Sequence, residues 1–399
     1  MSLEPHPPLR LSPLMDLVFS QQPNTIFDVM SGLARQLGAI NLGQGFPDSD
    51  GPEDIRAEAA RALMENSNQY PPMTGLPELR AAIAEHYGRF QGLNLDAMTE
   101  TFVTSGATEA LAAAIMGLVA PGDEVILIQP LYDAYLPLVL KAGGIPKFVR
   151  QVPPEWRITR DALETACSPN TKFLVFNNPQ NPTGRNFSYD ELKVVVDFCV
   201  AHDLIAISDE VWEHVTFDGG AFTSLLAMPG MRERCVKIGS AGKMFSLTGW
   251  KIGLVCAAAP LMNAALKAHQ FLTFTTPPNL QRAVAYGLSK DAGYFSALRD
   301  GLQHGRDRLG AGLKSIGFAV LPSEGAYFLG VDLEGSSISM ADKDFCLTLV
   351  QEFGVASIPF SAFYAADPVS SVVRFCFAKS DATLDQALEK LAKAKAILR

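Results

Sequence analysis

The middle of the chain alternates short, almost entirely apolar runs with segments of helical pattern, and this alternation restricts the fold more than any other feature. The apolar runs are Glu124–Gln129, Lys172–Phe176, Leu204–Ser208, Val236–Ile238 and Leu254–Ala258. The candidate helices include Thr108–Val119, rich in Ala and Leu, and Ser188–His202, in which Ser188 and Glu191 form a capping-box pattern. Apolar strands separated by helices predict an α/β fold with a mostly parallel central sheet flanked by helices.

The pattern of predicted helices and strands changes beyond about residue 290. A long helical pattern over Tyr294–Ile316 is followed by a strand-like run, a helix, a second strand-like run and a final helix. Because 399 residues are too many for one compact core, we expect two domains. The boundaries that we predict are a large domain over 51–290, a smaller α+β domain over 291–399, and an N-terminal segment over 1–50 that packs with the small domain.

Charge and cysteine content limit the partners that the chain can have. Lys plus Arg number 33 and Asp plus Glu number 42, so the formal net charge is −9, which disfavours nucleic acids and anionic membranes as partners. No apolar run is long enough to span a bilayer, and the N-terminus lacks the pattern of a signal peptide. The six cysteines are far apart and form no C-x-x-C pair. We therefore expect reduced thiols, no metal site and a cytoplasmic location.

Polar and aromatic side chains follow five of the predicted strands at the point where each strand ends. These segments are Ser105–Thr108, Pro130–Tyr132, Asn177–Gly184, Asp209 and Gly239–Lys243. Ligands of open α/β sheets bind beyond the carboxyl ends of the strands. We therefore expect the five segments to line one site.

The turn Ser105–Thr108 opens a helix, and backbone N–H groups at such a position bind anions. Ser240 and Lys251 could contribute a hydroxyl group and a cation to the same anion. Taken alone, the turn is better explained as an ordinary helix cap, and the other two residues as surface or loop residues.

Three further residues complete the pattern. Asp209 ends an apolar strand and needs a donor or cation if it is buried, although a turn acid is the alternative. Lys243 lies in partly apolar surroundings, where a lowered pKa would make it a nucleophile, although an isolated lysine is more often solvated. Tyr132 could stack on a planar ligand or belong to the core. Together, a phosphate site, a stacking aromatic ring, an acid and a nucleophilic lysine indicate pyridoxal phosphate as the cofactor.

The chain resembles the class I/II aminotransferases, which are pyridoxal-phosphate enzymes of fold type I, and within them the kynurenine/glutamine and methionine aminotransferase branch. The motifs that carry the resemblance are Ile40–Asp48, Asn68–Gly75, Val103–Leu111, Asn177–Gly184, Ser208–His214, Ser240–Gly253 and Arg374–Lys379. The resemblance implies a fold type I transferase and a transaminase activity.

Roles for the cofactor site follow from the resemblance. Lys243 is similar to the lysine that forms an imine with the cofactor and moves protons, and Asp209 to the partner of the pyridine nitrogen. Asn181 and Trp212 occupy the positions near the ring hydroxyl oxygen, and Tyr132 that of the stacking aromatic ring. The positions that match the phosphate cup are Gly106, Ala107, Thr108, Ser240 and Lys251.

Roles for the substrate site follow in the same way. Arg374 is similar to the arginine that binds the substrate α-carboxylate, and Gly45 would offer a backbone N–H to the same group. Tyr70 matches a tyrosine that reaches the phosphate of a neighbouring subunit, which implies a homodimer with shared active sites. The positions that fall near side-chain pockets of this branch are Ile26, Phe27, Phe274 and Phe363, with Phe274 supplied by the partner subunit.

The implied reaction is a ping-pong transfer of the amino group of an amino acid to a 2-oxo acid. The apolar, uncharged pocket favours methionine, glutamine, leucine-like or aromatic L-amino acids over aspartate. A pyridoxal-phosphate lyase that cleaves the C–S bond of cysteine conjugates would use the same motifs, and release of pyruvate and a thiol would distinguish it. A regulatory protein that keeps the fold is disfavoured by the charge of −9. A nicotinamide dehydrogenase is disfavoured because no G-x-G-x-x-G follows a first strand.

Trp212 departs from the family pattern, in which most relatives carry tyrosine. An indole donates only through one N–H, whose reach differs from that of a phenol hydroxyl. We therefore predict weaker stabilisation of the ring oxygen and a raised pKa of the imine at Lys243. The alternative is that the indole N–H or a water molecule substitutes for the tyrosine hydroxyl. A spectral pH titration of the wild type and Trp212→Tyr separates the two, and equal imine pKa values would contradict the prediction.

Overall fold

The computed structural model describes residues 17–20 and 24–398. The helices are α1 (Leu17–Ser20), α2 (Ile26–Leu37), α3 (Glu53–Glu65), α4 (Pro77–Gln91), α5 (Gly106–Leu118), α6 (Tyr135–Lys141), α7 (Arg160–Ala166), α8 (Tyr189–Ala201), α9 (Ala241–Met244), α10 (Ala259–Leu272), α11 (Pro278–Leu288), α12 (Ala292–Ser315), α13 (Asp342–Glu352) and α14 (Asp381–Ile397). The strands are β1 (Ile40–Asn41), β2 (Thr101–Ser105), β3 (Glu124–Gln129), β4 (Ile145–Arg150), β5 (Thr171–Asn177), β6 (Ile205–Asp209), β7 (Cys235–Ser240), β8 (Ile252–Cys256), β9 (Ala319–Val320), β10 (Phe328–Asp332), β11 (Val355–Ala356), β12 (Ile358–Pro359) and β13 (Val372–Cys376).

A seven-stranded sheet with the order β2-β8-β7-β6-β5-β3-β4 forms the centre of the molecule. The pairs among β3 to β7 are parallel, whereas β8 is antiparallel to both of its neighbours. A short connection, 241–251, joins β7 to β8, and it holds no helix long enough for a parallel crossover. The predicted mostly parallel sheet is therefore confirmed, with β8 as its antiparallel strand.

Successive side chains of the central strands enter two different hydrophobic cores. In β3, Val125 and Leu127 pack in a core with residues of α5 and α10. Ile126 and Ile128 pack in a core on the other face, with residues of α3, α4, α8 and α11. Both faces of the sheet are covered, which explains why its strands are apolar without alternation.

A second, four-stranded antiparallel sheet, β12-β13-β10-β9, has its own hydrophobic core with α12, α13 and α14. Met30, Ala34 and Leu42 pack in the same core, and β1 pairs with β11 in parallel. The described part of the N-terminal segment thus contacts the C-terminal part of the chain. Residues 1–16 and 21–23 of that segment lie outside the described residues, and the domain boundaries stay predictions.

Local sequence signals agree with the structure at several elements. The capping box at α8 is present: the Ser188 side chain accepts from the Glu191 N–H, and the Glu191 side chain accepts from the Ser188 N–H. All six cysteines are unpaired thiols. The edge strand β4, which was not predicted, is partly exposed and contains Pro146 and Lys147. Within 17–20 and 24–398, no helix is long and apolar enough to cross a membrane.

A buried cation joins β7 to the turn that follows β6. Lys237 Nζ lies 2.7 Å from Glu210 Oε2 and 2.5 Å from Glu213 Oε2, and all three side chains are almost completely buried. Glu210 also accepts hydrogen bonds from Ser224 Oγ and from the Leu225 N–H. A network of charged, buried hydrogen bonds therefore holds the turn between Asp209 and Glu213 in place.

Replacing Lys237 with methionine should leave two buried carboxylates without their cation. We expect Lys237→Met to lower the free energy of unfolding by about 3–5 kcal/mol, measured by urea denaturation. Lys193→Met is the matched control, because Lys193 pairs with Asp197 on the surface and should change stability by about 0.5 kcal/mol or less. Equal effects of the two substitutions would contradict the structural role of Lys237.

Candidate active site

The carboxyl ends of β2, β3, β5, β6 and β7 meet at one edge of the central sheet and border a cavity of about 330 Å³. The predicted site residues that line this cavity are Phe27, Gly45, Ala107, Thr108, Tyr132, Asn181, Asp209, Trp212, Lys243 and Arg374. Residues from the N-terminal segment, the central sheet and the C-terminal sheet thus face one space.

Lys243 extends into the cavity from α9, directly after β7. Its Nζ lies 3.4 Å from the Gly45 carbonyl oxygen, 3.4 Å from the Tyr327 hydroxyl and 4.8 Å from the centre of the Trp212 ring. Burial lowers the pKa of Lys243 to about 8, although Asp209 and Cys376 oppose the shift. A lysine in this environment is neutral, and hence nucleophilic, in a much larger fraction than a solvated lysine.

Asp209 is the last residue of β6 and is buried. Its Oδ2 accepts a hydrogen bond of 2.6 Å from the Tyr135 hydroxyl. Burial raises the pKa of Asp209 to about 6, against the lowering effects of the Tyr135 hydrogen bond and the Lys243 charge. Asp209 Oδ1 accepts one long hydrogen bond, of 3.4 Å, from the Val211 N–H. Because a carboxylate oxygen can accept more than one hydrogen bond, the group can still bind a cationic donor strongly.

The turn where β2 leads into α5 has features that suit an anion. Gly106 has a φ of +77°, and a Cβ atom at this position would lie 2.9 Å from Lys251 Cε, so the lysine side chain lies against the turn. Ser240 is paired with Gly253, and a Cβ atom at Gly253 would lie 2.6 Å from the carbonyl carbon of Gly106. Among the described residues, no acid forms an ion pair with Lys251. A helix N-terminus beside an uncompensated lysine suits a phosphate group.

Tyr132 forms a wall of the cavity next to this turn. Its hydroxyl group is hydrogen-bonded to the Thr108 side chain, and burial is the main reason that its pKa is raised to about 12. The tyrosine is therefore a neutral ring at physiological pH, which suits stacking on a planar group.

Arg374 of β13 is a buried cation with neutral partners. It donates to Asn181 Oδ1 at 2.7 Å and to the Gly43 carbonyl oxygen at 2.7 Å, while its Nε is buried and has no partner. Burial lowers its pKa to about 9. The centre of its guanidinium group lies 3.9–5.2 Å from the ring centres of Phe27, Phe328 and Phe363. A desolvated guanidinium without a carboxylate bonded to it is suited to bind one.

Seven predicted residues are not part of the cavity wall. Three of them, Gly106, Ser240 and Lys251, belong to the turn region described above, and the other four lie elsewhere. Ile26 packs against the C-terminal core, and Phe363 is buried behind Phe27, with ring centres 5.7 Å apart. Tyr70 and Phe274 contact each other edge to face on the surface, where 83% of Tyr70 and 43% of Phe274 are exposed. Within this chain, neither of the two surface rings lines the cavity.

Sequence reasoning missed residues that contact the predicted ones. Tyr135 bonds Asp209, and Tyr327 is buried with its hydroxyl group near both Lys243 and Gly45. Asp133 and Phe328 also line the cavity. Tyr135 lies close to the predicted Tyr132 segment, and this proximity is the one signal that could have drawn attention to it.

Comparison with known proteins identifies the family of this chain. The family model "Aminotransferase class I and II" matches residues 38–391. A Mycobacterium tuberculosis protein named probable N-succinyldiaminopimelate aminotransferase DapC is 44% identical over 378 residues, covering 92% of this chain and 95% of that protein. The methionine aminotransferase of Escherichia coli K12 is 41% identical over 371 residues, covering 93% and 96% of the two chains.

Solved structures agree over nearly the whole chain. The N-succinyldiaminopimelate aminotransferase of Mycobacterium tuberculosis superimposes with a TM-score of 0.92 at 44% identity, covering 95% of this chain and 99% of that one. The Escherichia coli protein YbdL, described with a methionine aminotransferase function, gives a TM-score of 0.91 at 40% identity and the same coverage. This chain therefore belongs to the class I and II aminotransferases, a family of pyridoxal-phosphate enzymes of fold type I, and is a transaminase.

Proposed function

We propose that this transaminase moves the amino group of an uncharged L-amino acid, such as methionine, glutamine, a leucine-like or an aromatic amino acid, to a 2-oxo acid by a ping-pong mechanism. The observation that carries the proposal is the charge of the cavity wall. Among the wall residues that the structure describes, Lys243 and Arg374 are the only cations. In this proposal Lys243 binds the cofactor and Arg374 binds the substrate α-carboxylate. Neither cation is then available to bind an acidic substrate side chain.

The residues present fit pyridoxal phosphate. Its phosphate would be held by the N-terminus of α5 with Lys251 and Ser240, where a lysine without an acidic partner lies against Gly106. Its pyridine nitrogen would face Asp209, and its aldehyde would meet Lys243. When bound, the cofactor supplies an electron-accepting ring that makes a proton on the substrate α-carbon removable.

The roles of the protein residues follow from their environments. Arg374 binds the α-carboxylate, and the rings around it exclude water and strengthen that ion pair. Asn181 holds Arg374 in place through Oδ1. Lys243, with its pKa lowered to about 8, takes the proton from the α-carbon as a general base and returns one as a general acid. Asp209 keeps its negative charge beside a cationic donor and fixes the orientation of the ring.

The side-chain region of the cavity supports an uncharged substrate. Phe27, Phe46 and Phe328 contribute apolar surface, and Gln44 an amide. The remaining charged wall residue is Asp133, whose pKa is raised by burial. An acid in this region repels a carboxylate on the substrate side chain and tolerates thioether, amide and aromatic groups.

A second candidate substrate is an N-succinylated diaminopimelate, because the Mycobacterium tuberculosis relative at 44% identity carries that name. Such a substrate has additional carboxylates at the end of its side chain. It would require a cation beyond the two in the described wall, for example one supplied by a partner subunit. A direct comparison with methionine separates the two candidates.

We also propose that the protein is a homodimer with shared active sites. Tyr70 and Phe274 form an aromatic pair on the surface, and Phe271 and Met64 are each more than 80% exposed. Large exposed apolar side chains are typical of protein interfaces. In the dimer, the aromatic pair of one subunit would complete the cavity of the other.

A panel of amino acids tests the substrate class. The cofactor-loaded protein is mixed with single amino acids, and conversion of the cofactor from its aldehyde to its amine form is followed by absorbance. Methionine, glutamine, leucine and phenylalanine should convert it faster than aspartate, glutamate or N-succinyldiaminopimelate. No conversion with any compound would contradict the reaction, and conversion with only the acidic ones would contradict the substrate class.

Arg374→Gln tests carboxylate binding. We expect kcat/KM for methionine to fall by about 100-fold or more, whereas kcat/KM for methioninamide, which lacks the carboxylate, should change little. Arg308→Gln is the control, because Arg308 forms surface ion pairs with Asp381 and Asp385. If the acid and the amide lost the same factor, Arg374 would have a general structural role.

The lowered pKa of Lys243 predicts its reactivity before the cofactor binds. In the cofactor-free protein, the rate of carbamylation of Lys243 by cyanate should rise with pH to a midpoint near 8, as measured by peptide mass spectrometry. N-acetyllysine amide in the same solutions should show a midpoint about two pH units higher. Asp209→Asn should lower the midpoint, because the Asp209 charge favours the protonated amine. A midpoint above 10 for Lys243 would show that the amine is solvated.

A further inference from the structure

A buried acid lies in the first turn of α5, the helix whose N-terminus forms the proposed phosphate site. Glu109 is 9% exposed, and its Oε2 accepts a hydrogen bond of 2.9 Å from the Ser105 N–H. This bond fixes the residue that precedes Gly106. A negative charge at this point also opposes the binding of a second anion at the same helix end, and weak screening in the interior makes the repulsion stronger. The acid therefore needs a compensating charge if a phosphate binds here.

His269 of α10 supplies a partner for Glu109. Its Nδ1 lies 2.9 Å from Glu109 Oε1, and its Nε2 lies 3.0 Å from the Met73 carbonyl oxygen. The Thr273 hydroxyl group also lies 3.3 Å from Nδ1. A carboxylate and a backbone carbonyl are both acceptors, so beside an ionised Glu109 each ring nitrogen donates a proton. Two donating nitrogens define an imidazolium ion. His269 is fully buried, so solvent does not screen the contact between the two side chains.

We propose that His269 is a positioning residue of the phosphate site, whose positive charge offsets the charge of Glu109 and allows a phosphate to bind at the N-terminus of α5. The proposal rests on the proposed function, because it takes the Gly106–Thr108 turn as the place of the cofactor phosphate. Glu109 orients the turn, and His269 offsets the repulsion between the Glu109 carboxylate and the phosphate. The second ring nitrogen fixes Met73, three residues after the surface residue Tyr70.

If His269 balances the charge of Glu109, single and double substitutions of the two residues should change the affinity for pyridoxal phosphate differently than if its role is only structural. His269→Gln leaves Glu109 as an uncompensated charge, so the affinity for pyridoxal phosphate should fall by about tenfold. Glu109→Gln removes the repulsion and keeps an acceptor for the Ser105 N–H, so binding should be at least as tight as in the wild type. The double variant carries neither charge and should regain an affinity within about threefold of the wild type.

The dissociation constants of cofactor-free protein for pyridoxal phosphate and for pyridoxal, measured by equilibrium dialysis, form the test. Pyridoxal lacks the phosphate, so none of the three variants should change its affinity by more than about threefold. His304→Gln is the matched control, because His304 pairs with Asp381 on the surface and should leave both constants unchanged.

Two results would overturn the proposal. One is that His269→Gln binds pyridoxal phosphate as tightly as the wild type, and the other is that the double variant stays as weak as His269→Gln. If His269→Gln did not fold, Glu109→Gln would decide, since selective loss of pyridoxal phosphate binding in that variant contradicts charge balancing. A wild type that binds pyridoxal as tightly as pyridoxal phosphate would instead contradict the proposed phosphate site itself.

Discussion

The buried guanidinium of Arg374 connects three parts of the chain that are far apart in sequence. It belongs to the C-terminal sheet, donates to Asn181 after β5 of the central sheet, and donates to Gly43 in the N-terminal segment. All of its recorded hydrogen-bond acceptors are neutral, so the positive charge stays available for a ligand. The same contacts that bring these parts together also leave a carboxylate-binding group at their junction.

Desolvation determines the chemistry of the cavity. Burial lowers the pKa of Lys243 to about 8, raises that of Asp209 to about 6 and lowers that of Arg374 to about 9. In each group, burial destabilises the charged form relative to the neutral form. Binding of a ligand of opposite charge reverses part of each pKa shift. Perturbed groups of this kind are concentrated at functional sites. An amino acid bound beside a cofactor with a phosphate and a cationic ring nitrogen would supply the missing charges.

Much of the fold and of the site could be predicted from the sequence, because both depend on local patterns. Apolar runs that end in polar residues predict the sheet edge, and Asp209 and Lys243 were found in this way. Contacts between distant segments carry no such signal. Tyr135 and Tyr327 act on residues 74 and 84 positions away, and the pairing of Glu109 with His269 joins positions 160 apart. The residues of β8 do not indicate its antiparallel direction, since they are as apolar as those of its parallel neighbours. The direction follows instead from the short connection 241–251 that joins it to β7.

The most direct test of the central claim locates the cofactor on the chain. The protein is incubated with pyridoxal phosphate, reduced with borohydride to make the linkage between aldehyde and lysine permanent, and mapped by peptide mass spectrometry. The site described here predicts that the label lies on Lys243 and that Lys243→Ala carries none. A label on another lysine, or one that persists in Lys243→Ala, would contradict the assignment of this cavity as the active site.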